Sequence, residues 1–305
     1  MGGPPVSVNI AQLRAFLAVV DEGGFSAAAD VLGISQSAVS HAVAALERAV
    51  GCQVLVRAGR PRPTAFGDQI LAHARSAVAA TTAIADLAAQ QGNLPTGTLR
   101  LAAPPTVCQG LLPDLLARWR LDFPRVRVRV FEGEDDEVAD WLAGAAVELA
   151  VVVDPAPPER GVLVGADAFH ALLRHDHPLA GEDVIDVRDL ADDAFLLSCG
   201  GCEAHVREVH RLAGAVLDPV HRVRELGTLL AMIRSGMGVS VVPELVRVML
   251  DSRLVLVPLR QRVVRRLVLA GPPHQTWHPA VTALVGATPP VEPPAGIAAG
   301  RAEVS

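Results

Sequence analysis

The sequence predicts a mixed α/β protein in which a group of N-terminal helices precedes a larger region of alternating strands and helices. Apolar residues recur at helical spacing over about the first 90 residues, and the linker-like run Gly-Asn-Leu-Pro-Thr-Gly follows at residues 92–97. Beyond it, Val- and Leu-rich runs alternate with amphipathic segments, which is typical of βαβ units. The chain has 305 residues, of which 50% are hydrophobic, so two or three units with substantial cores are expected.

Three short helices are predicted before residue 52, each with a polar residue that can cap its start and a glycine that can end it. A capping side chain accepts a hydrogen bond from a backbone N–H that otherwise has no partner in the first turn. The third helix turns Val39, Val43, Leu46 and Val50 inward. The predicted caps are Asn9, Ser26 and Ser35, and the predicted ends are Gly23, Gly33 and Gly51.

The opposite face of the third helix begins with polar residues, namely Gln36, Ser37, Ser40 and His41. A helix, a tight turn and a second helix with a polar N-terminus make a helix-turn-helix, whose second helix enters the DNA major groove. Gln36 can pair with adenine, the serines can reach bases or phosphates, and His41 can reach a phosphate. An ordinary three-helix unit with a polar face explains the same spacing, so the spacing alone leaves both interpretations open.

A β-hairpin, or wing, is predicted at residues 53–64, because short apolar runs there flank one Gly and two Pro. Arg57, Arg60 and Arg62 on this wing would supply the attraction for phosphates that the polar helix lacks.

A long helix is predicted from residue 65 to about residue 91, capped by Thr64 and ended by Gly92. We expect a second copy of this helix to cover its apolar stripe, because no preceding unit is large enough to bury it. The stripe contains Ile70, Leu71, Ala74, Val78, Thr81, Ile84 and either Leu87 or Ala88.

The chain from residue 97 to residue 288 predicts two α/β lobes with a largely parallel sheet. The Pro-, Ala- and Gly-rich tail at residues 289–305 is expected to be disordered. The predicted strands are residues 98–103, 125–133, 148–154, 168–175, 194–198, 220–226, 238–243 and 265–271. The predicted helices are residues 110–124, 136–144, 203–214 and 228–236.

Charge is unevenly distributed, so the net charge of −6 does not exclude a DNA-binding region. Acidic residues cluster at residues 132–137 and 190–195, whereas Arg predominates at residues 57–63. No apolar run is long enough to span a bilayer and the first residues do not resemble a signal peptide, so a cytoplasmic protein is expected. Four cysteines are too few for a disulfide scaffold in a chain of this length.

Catalytic motifs are absent from the sequence, which has no Gly-x-Ser-x-Gly elbow, no phosphate-binding loop and no His-Glu-x-x-His pair. A metal site could be inferred from the close spacing of His175, Asp176 and His177. A turn after a strand is the better interpretation of this segment. We therefore expect no enzyme activity, no catalytic residue, no cofactor and no bound metal.

Residues 25–71 closely resemble the N-terminal winged helix-turn-helix of LysR-type transcriptional regulators. The shared pattern is Phe-Ser-x-Ala-Ala, then Ser-Gln-x-Ala-x-Ser, Leu-Glu, Gly, a wing Arg and Thr-x-x-Gly. Residues 175–180 and 225–244 are similar to two hallmarks of the family's effector-binding domain. The departures are Val56 in place of a usual Phe, His41 in place of a common Arg, and Cys52 at a small apolar position. The matching residues are Phe25, Ser26, Ala28, Ala29, Leu32, Ser35, Gln36, Ala38, Ser40, Leu46, Glu47, Gly51, Leu55, Arg57, Thr64 and Gly67.

The resemblance implies a winged helix-turn-helix at residues 8–66, a linker helix for dimerisation at residues 64–91 and an effector-binding domain at residues 97–288. That domain would have two Rossmann-like lobes, as in periplasmic binding proteins, with a small-molecule effector in the cleft between them. The family implies a homodimer or homotetramer on an inverted repeat of double-stranded DNA, with RNA polymerase as a further candidate partner. The implied DNA contacts are Ser26, Ser35, Gln36, Ser37, Ser40, His41, Arg57, Arg60 and Arg62.

Candidate effector-binding residues lie where strands end and helices begin, because free N–H groups there favour anions. Thr106 and Cys108 are accordingly expected at an anion-binding end. Ser and Thr also cap helices without any ligand, so both interpretations stay open for those side chains. The candidates are Thr106, Cys108, Glu134, Ser198, Cys202 and Thr228.

Cys199 and Cys202 form a Cys-x-x-Cys motif at a predicted helix start, which can support redox chemistry or supply half of a zinc site. No second Cys pair is present, and the later cysteine with which peroxide-sensing family members pair is absent. Pocket lining, redox sensing, metal binding and no role remain as alternatives. The main alternative function is a thiol-based redox sensor or oxidoreductase, and a solute-binding protein is a third interpretation that the N-terminal helices disfavour.

Overall fold

The computed structural model of the chain describes residues 7–89, 95–156, 160–273 and 275–292. Residues 90 and 91, which were predicted to end the long helix, lie outside this range, as do residues 293–305 of the predicted disordered tail. None of the helices within these ranges is long and apolar enough to cross a membrane.

The N-terminal domain contains three helices and a two-stranded wing around one apolar core. Asn9 and Ser35 cap their helices through hydrogen bonds from the N–H groups of Gln12 and Ala38, as predicted. The core includes Phe16, Val43, Leu46 and the wing residue Leu55. The elements are α1 Ile10–Glu22, α2 Phe25–Leu32, α3 Gln36–Val50, β1 Leu55–Val56 and β2 Arg62–Pro63, and the two strands are antiparallel.

The second helix begins two residues earlier than a cap at Ser26 would place it, at Phe25, so the expectation that Ser26 caps it is wrong. Its N-cap is Gly24, which has no side chain to accept a hydrogen bond. Phe25 is the first residue of this helix and packs against the core of the domain. Ser26 is consequently an exposed residue of that turn.

The long helix α4 spans Ala65–Ala89, and the hydroxyl of Thr64 accepts a hydrogen bond from the N–H of Gly67 at its start. Its apolar stripe is covered in part by its own chain, because Ile70, Leu71, Ala74 and Val78 pack on the N-terminal core. Further along, Ile84 is 66% exposed. A second copy of the helix is therefore needed only for the later part of the stripe.

Lobe I, the first lobe of the C-terminal domain, is built on a five-stranded sheet in the order β4-β3-β5-β11-β6. The first three strands are parallel, and β11 is antiparallel to both of its neighbours. Its elements are β3 Gly97–Ala103, α5 Pro105–Gly110, α6 Leu112–Asp122, β4 Val126–Glu132, α7 Asp135–Ala143, β5 Leu149–Val153, β6 Gly161–Arg174, β11 Val264–Ala270 and α10 Pro279–Ala287.

Lobe II continues from the second half of β6, which lies between β9 and β10. A bridge between Phe195 and Val239 places β7 beside β9, and β8 pairs with β7 in parallel. The strand β6 thus belongs to both lobes, and β11 returns the chain to lobe I. The elements are β7 Leu196–Ser198, α8 Glu203–Ala213, β8 His221–Val223, α9 Leu226–Arg234, β9 Ser240–Pro243 and β10 Leu254–Pro258.

The two-lobed α/β fold is confirmed, whereas the expectation of a largely parallel sheet is wrong. The strands that pass between the lobes, β6 and β11, run antiparallel to their neighbours and make the sheet mixed. Three of these elements were not predicted, namely the helix α5, the strand β10 and the helix α10.

Candidate DNA-binding surface and effector cleft

The turn between α2 and α3 exposes the start of α3. Gly33 ends α2 with a φ of 66°, a left-handed conformation that a side chain would strain, and its N–H binds the carbonyls of Ala29 and Asp30. Ser35 then caps α3, and its hydroxyl lies 2.9 Å from that of Ser37. Gln36, Ser37 and His41 are exposed on the first turns of α3, while Ser40 is half-buried.

The wing arginines differ in how firmly the protein holds them. The guanidinium of Arg57 lies 2.8 Å from the carboxylate of Glu47 and 5.8 Å from the centre of the Phe25 ring. Arg60 lies against the backbone of Gly23 at the end of α1. Arg62 is exposed and has no hydrogen bond or ion pair within the described ranges. Among the three, Arg62 is therefore the most available to a phosphate.

Glu47 is a positioning residue that the sequence analysis did not single out as one. Besides the ion pair with Arg57, its second carboxylate oxygen accepts a hydrogen bond from the N–H of Val54, at 3.1 Å. A residue of α3 thus holds both the first strand of the wing and a wing arginine. Glu47 therefore helps to set the geometry of the wing relative to α3.

A cleft of about 240 Å³ lies between the two lobes. Lobe I contributes the start of α5, the end of β4 and the start of α7, while lobe II contributes the end of β7 and the start of α9. Four of the predicted effector residues line it, namely Thr106, Glu134, Ser198 and Cys202.

Two further predicted residues, Cys108 and Thr228, do not line this cleft. The thiol of Cys108 donates to the carbonyl of Ala103 at 3.4 Å, and burial raises its pKa to about 11. Thr228 is exposed on the first turn of α9, beyond Leu226 and Gly227, which do line the cleft. A ligand role for either residue stays a prediction.

A buried guanidinium at the cleft was missed from the sequence. Arg265 on β11 is 1% exposed and binds both carboxylate oxygens of Asp167, at 2.7 and 3.2 Å. The same guanidinium donates to the hydroxyl of Thr106 at 2.9 Å. Asp167 also accepts a hydrogen bond from the N–H of Leu245, at 2.9 Å. This network fixes the start of α5 to the strands that pass between the lobes.

The lobes also meet across the cleft through charged side chains. Arg224 of lobe II donates to Glu137 of lobe I at 2.8 Å, and its guanidinium lies 3.9 Å from Glu134. His205 lies 2.8 Å from the carboxylate of Asp154 and stacks on Phe169 with ring centres 4.9 Å apart. These contacts join the two lobes across the cleft.

The thiol of Cys202 is buried in the cleft wall at the start of α8. Burial raises its pKa to about 12, against the opposing effect of the nearby Arg265 guanidinium. A thiol with such a pKa is almost entirely protonated at neutral pH, and the protonated form is a poor nucleophile. No cluster of His, Cys, Asp or Glu within the described ranges is arranged to hold a metal ion.

Comparison with known families identifies the two parts of the chain. Residues 10–68 match the family described as "Bacterial regulatory helix-turn-helix protein, lysR family", and residues 92–288 match "LysR substrate binding domain". The chain belongs to the LysR family. It is a transcriptional regulator with a helix-turn-helix domain and an effector-binding domain, and the relatives that it resembles are regulators rather than enzymes.

Curated LysR-family relatives extend over most of the chain. A probable hydrogen peroxide-inducible genes activator of Mycobacterium leprae is 32% identical over 77% of this chain and 78% of its own length. The uncharacterised HTH-type transcriptional regulator YvbU of Bacillus subtilis is 29% identical over 78% of this chain and 82% of its own length.

Solved structures share the fold of this LysR-family chain. A full-length OxyR variant from Pseudomonas aeruginosa has a TM-score of 0.72 at 22% identity, and covers 92% of this chain and 96% of its own. The regulator CbnR in complex with its target DNA has a TM-score of 0.64 at 21% identity, covering 91% and 97%.

Proposed function

We propose that this LysR-family regulator reads an inverted-repeat promoter site in double-stranded DNA through α3 and the wing, as a homodimer or homotetramer. The observation that carries the proposal is the exposed polar start of α3, held by the turn at Gly33 and the cap at Ser35 beside the wing arginines. A small molecule in the interlobe cleft would change the arrangement of the subunits and so the bending of the DNA, which is coupling between two distinct sites.

Each DNA-facing residue has a proposed role that follows from its surroundings. Gln36 is free to read a base edge, and Ser37 and His41 reach bases or phosphates from the same exposed turns. Arg62 supplies a phosphate contact, whereas the ion pair with Glu47 makes Arg57 a weaker one. Ser26, Ser35, Ser40 and Arg60 remain candidate contacts at the edge of this surface.

The wider setting also belongs to the proposal. A cytoplasmic location and contact with RNA polymerase fit a regulator of bacterial promoters. The exposed Ile84 on α4 supports a subunit interface along the later part of that helix.

Fluorescence anisotropy with the DNA upstream of the gene tests the proposal. Gln36→Ala is expected to reduce discrimination between the target and an unrelated duplex by roughly 5- to 150-fold, the effect of about 1–3 kcal/mol per lost base contact. Arg62→Ala is expected to weaken binding to both duplexes. It should also reduce the slope of the logarithm of affinity against the logarithm of salt concentration by about one. The exposed Arg260→Ala serves as the matched control in lobe II.

Salt-insensitive binding would contradict the proposal. Unchanged binding by a variant that combines Gln36→Ala with Arg57→Ala would contradict it as well.

Thiol-based redox sensing is a second candidate, supported by the place of Cys202 beside Arg265 in the cleft and by the relatives named as peroxide-inducible activators. The raised pKa of the buried thiol argues against it. Thiol titration of the full chain before and after peroxide separates the two functions. If peroxide consumes the Cys202 thiol and alters DNA binding in the wild type, while DNA binding by Cys202→Ser does not respond to peroxide, redox sensing is favoured. Unchanged thiols would exclude it.

A further inference from the structure

The interlobe cleft contains more carboxylates than cations. Glu132 lies at the end of β4, Glu134 and Asp135 at the start of α7, and Glu225 just before α9. The two guanidinium groups that line the cleft, Arg224 and Arg265, already have carboxylate partners that do not line it. These partners are Glu137 and Asp167.

Three of the cleft carboxylates have no partner of their own. Within the described ranges, Glu132, Asp135 and Glu225 neither accept a side-chain hydrogen bond nor form an ion pair. Burial raises the pKa of Asp135, and the neighbouring acidic groups raise it further against the effect of Arg265 and His205. Burial likewise raises the pKa of Glu134. A positive charge placed among these groups would relieve this repulsion.

The hydroxyl of Ser198 lines the same cleft and also lacks a partner. Ser198 is 5% exposed, and its hydroxyl makes no hydrogen bond with any residue that the structure describes. A ligand with N–H donors in the cleft would satisfy both this hydroxyl and the carboxylates.

The N-termini of α7 and α9 do not offset this preference for positive charge. Such ends attract anions when their N–H groups are free. Here α7 carries acidic residues throughout its first turn, and Glu225 is the N-cap of α9. The chain thus places its own negative charges where an anionic ligand would otherwise bind.

We infer that the cleft binds a small cationic effector, a molecule with an ammonium or guanidinium group that Asp135 and Glu132 hold from lobe I and Ser198 from lobe II. This inference rests on the proposed role of the cleft as the effector site. A cavity of about 240 Å³ lies below the range of roughly 300–1,000 Å³ found for drug-sized ligands, so the effector is a compact metabolite.

Isothermal titration of the full chain, without DNA, tests the ligand class. The cationic probes are agmatine, putrescine and L-arginine, and benzoate is the anionic probe. We expect at least one cation to bind, with affinity about tenfold lower in Asp135→Asn and in Glu132→Gln, and lower again at high salt. Glu182→Gln, which alters an exposed carboxylate outside the cleft, serves as the matched control and should bind as the wild type does.

The inference is overturned if none of the three cations binds below about 1 mM, if the cleft variants bind them as the wild type does, or if benzoate alone binds. Benzoate binding would leave the cleft as an effector site and reject only its charge preference. The thermal unfolding of each variant shows whether it is folded. Because the titration contains no DNA, failure of DNA binding in the anisotropy experiment is a separate result that bears on the proposed function alone.

Discussion

At the residue scale, Arg265 joins distant parts of the C-terminal domain. Its guanidinium is almost fully buried, and the side chains that it binds, Asp167 and Thr106, lie far from it along the chain. Removing one member of a buried ion pair leaves the other charge uncompensated, which is much more costly than the loss of a surface pair. The network therefore matters for stability as well as for the shape of the cleft.

Arg265→Gln is expected to reduce the free energy of unfolding by about 3–5 kcal/mol, because it leaves Asp167 charged and without a cation in the interior. Urea denaturation of the full chain, followed by circular dichroism, measures the change. Arg260→Gln on the exposed loop before β11 should lie within about 0.5 kcal/mol of the wild type. Equal midpoints for the two variants would show that the buried pair contributes little.

Asp186 should make the protein sensitive to acid. The guanidinium of Arg188 donates hydrogen bonds to the carboxylate of Asp186, and so do the backbone N–H of Arg188 and the side-chain amide of Gln261. These hydrogen bonds hold the pKa of Asp186 well below its usual range. A lowered folded-state pKa adds stability that is complete above the unfolded value of about 3.9 and is lost as pH falls towards the folded value.

Asp186→Asn is expected to lower the urea midpoint at pH 7, and the difference from the wild type should shrink as the pH falls below about 4. Parallel titrations at several pH values measure it, with the exposed Asp192→Asn as the control. A difference that is constant with pH would mean that the charge of Asp186 is not involved.

At the element scale, the start of α4 is packed closely against the wing. The hydroxyl of Thr64 donates to the carbonyl of Gln53 and accepts from the N–H of Gly67. A methyl group on Gly67 would collide with the carbonyl oxygen of Val54 and would lie 3.2 Å from Cβ of Pro63. The absent side chain thus lets the long helix begin directly beneath the hairpin.

Gly67→Ala is expected to destabilise the N-terminal domain by about 1–3 kcal/mol and to weaken DNA binding, because the wing must shift to admit the methyl group. Gly286→Ala in α10 is the matched control. A methyl group there meets nothing within 4 Å and should leave stability unchanged or raise it by up to about 1 kcal/mol. Thermal unfolding and anisotropy measure the two effects, and wild-type DNA binding by Gly67→Ala would contradict this account of the wing.

At the scale of the whole molecule, the domains of one chain are linked by charge as well as by α4. Asp21 at the end of α1 lies 2.9 Å from the guanidinium of Arg75 on α4 and 3.8 Å from that of Arg100 on β3. Arg100 in turn forms a two-oxygen pair with Glu148 of lobe I. A chain of charged contacts thus runs from lobe I to α1, the helix that precedes the DNA-reading pair.

The exposed part of α4 predicts the behaviour of the assembly. Ile84→Glu is expected to shift the chain from dimer towards monomer, because it places a charge on the apolar surface that a second copy of the helix would cover. Sedimentation velocity at micromolar concentration measures the shift. Val248→Glu, at a residue that is 60% exposed in lobe II, should leave the sedimentation coefficient unchanged. Identical behaviour of the two variants would place the interface elsewhere.

Features set by neighbouring residues could be predicted from the sequence, whereas features set by distant partners could not. The caps at Asn9, Ser35 and Thr64 follow from side chains that bind N–H groups three residues away. The bond between Arg265 and Thr106 joins residues 159 positions apart, and no local pattern marks it. The sequence likewise marked the strand ends that line the cleft, but only the packing of the lobes separates Thr106 from Cys108 there.

The position of β11 also determines when the sheet of lobe I can be completed during synthesis of the protein. Lobe I is translated first, yet β5 has only one of its two neighbours, β3, until Val264–Ala270 has been made, after every strand of lobe II. During that interval the ribosome-bound chain carries an open, apolar strand edge, the kind of surface that pairs with other chains. A message cut short before residue 264 would therefore yield an aggregation-prone product rather than a regulator that lacks only its C-terminus.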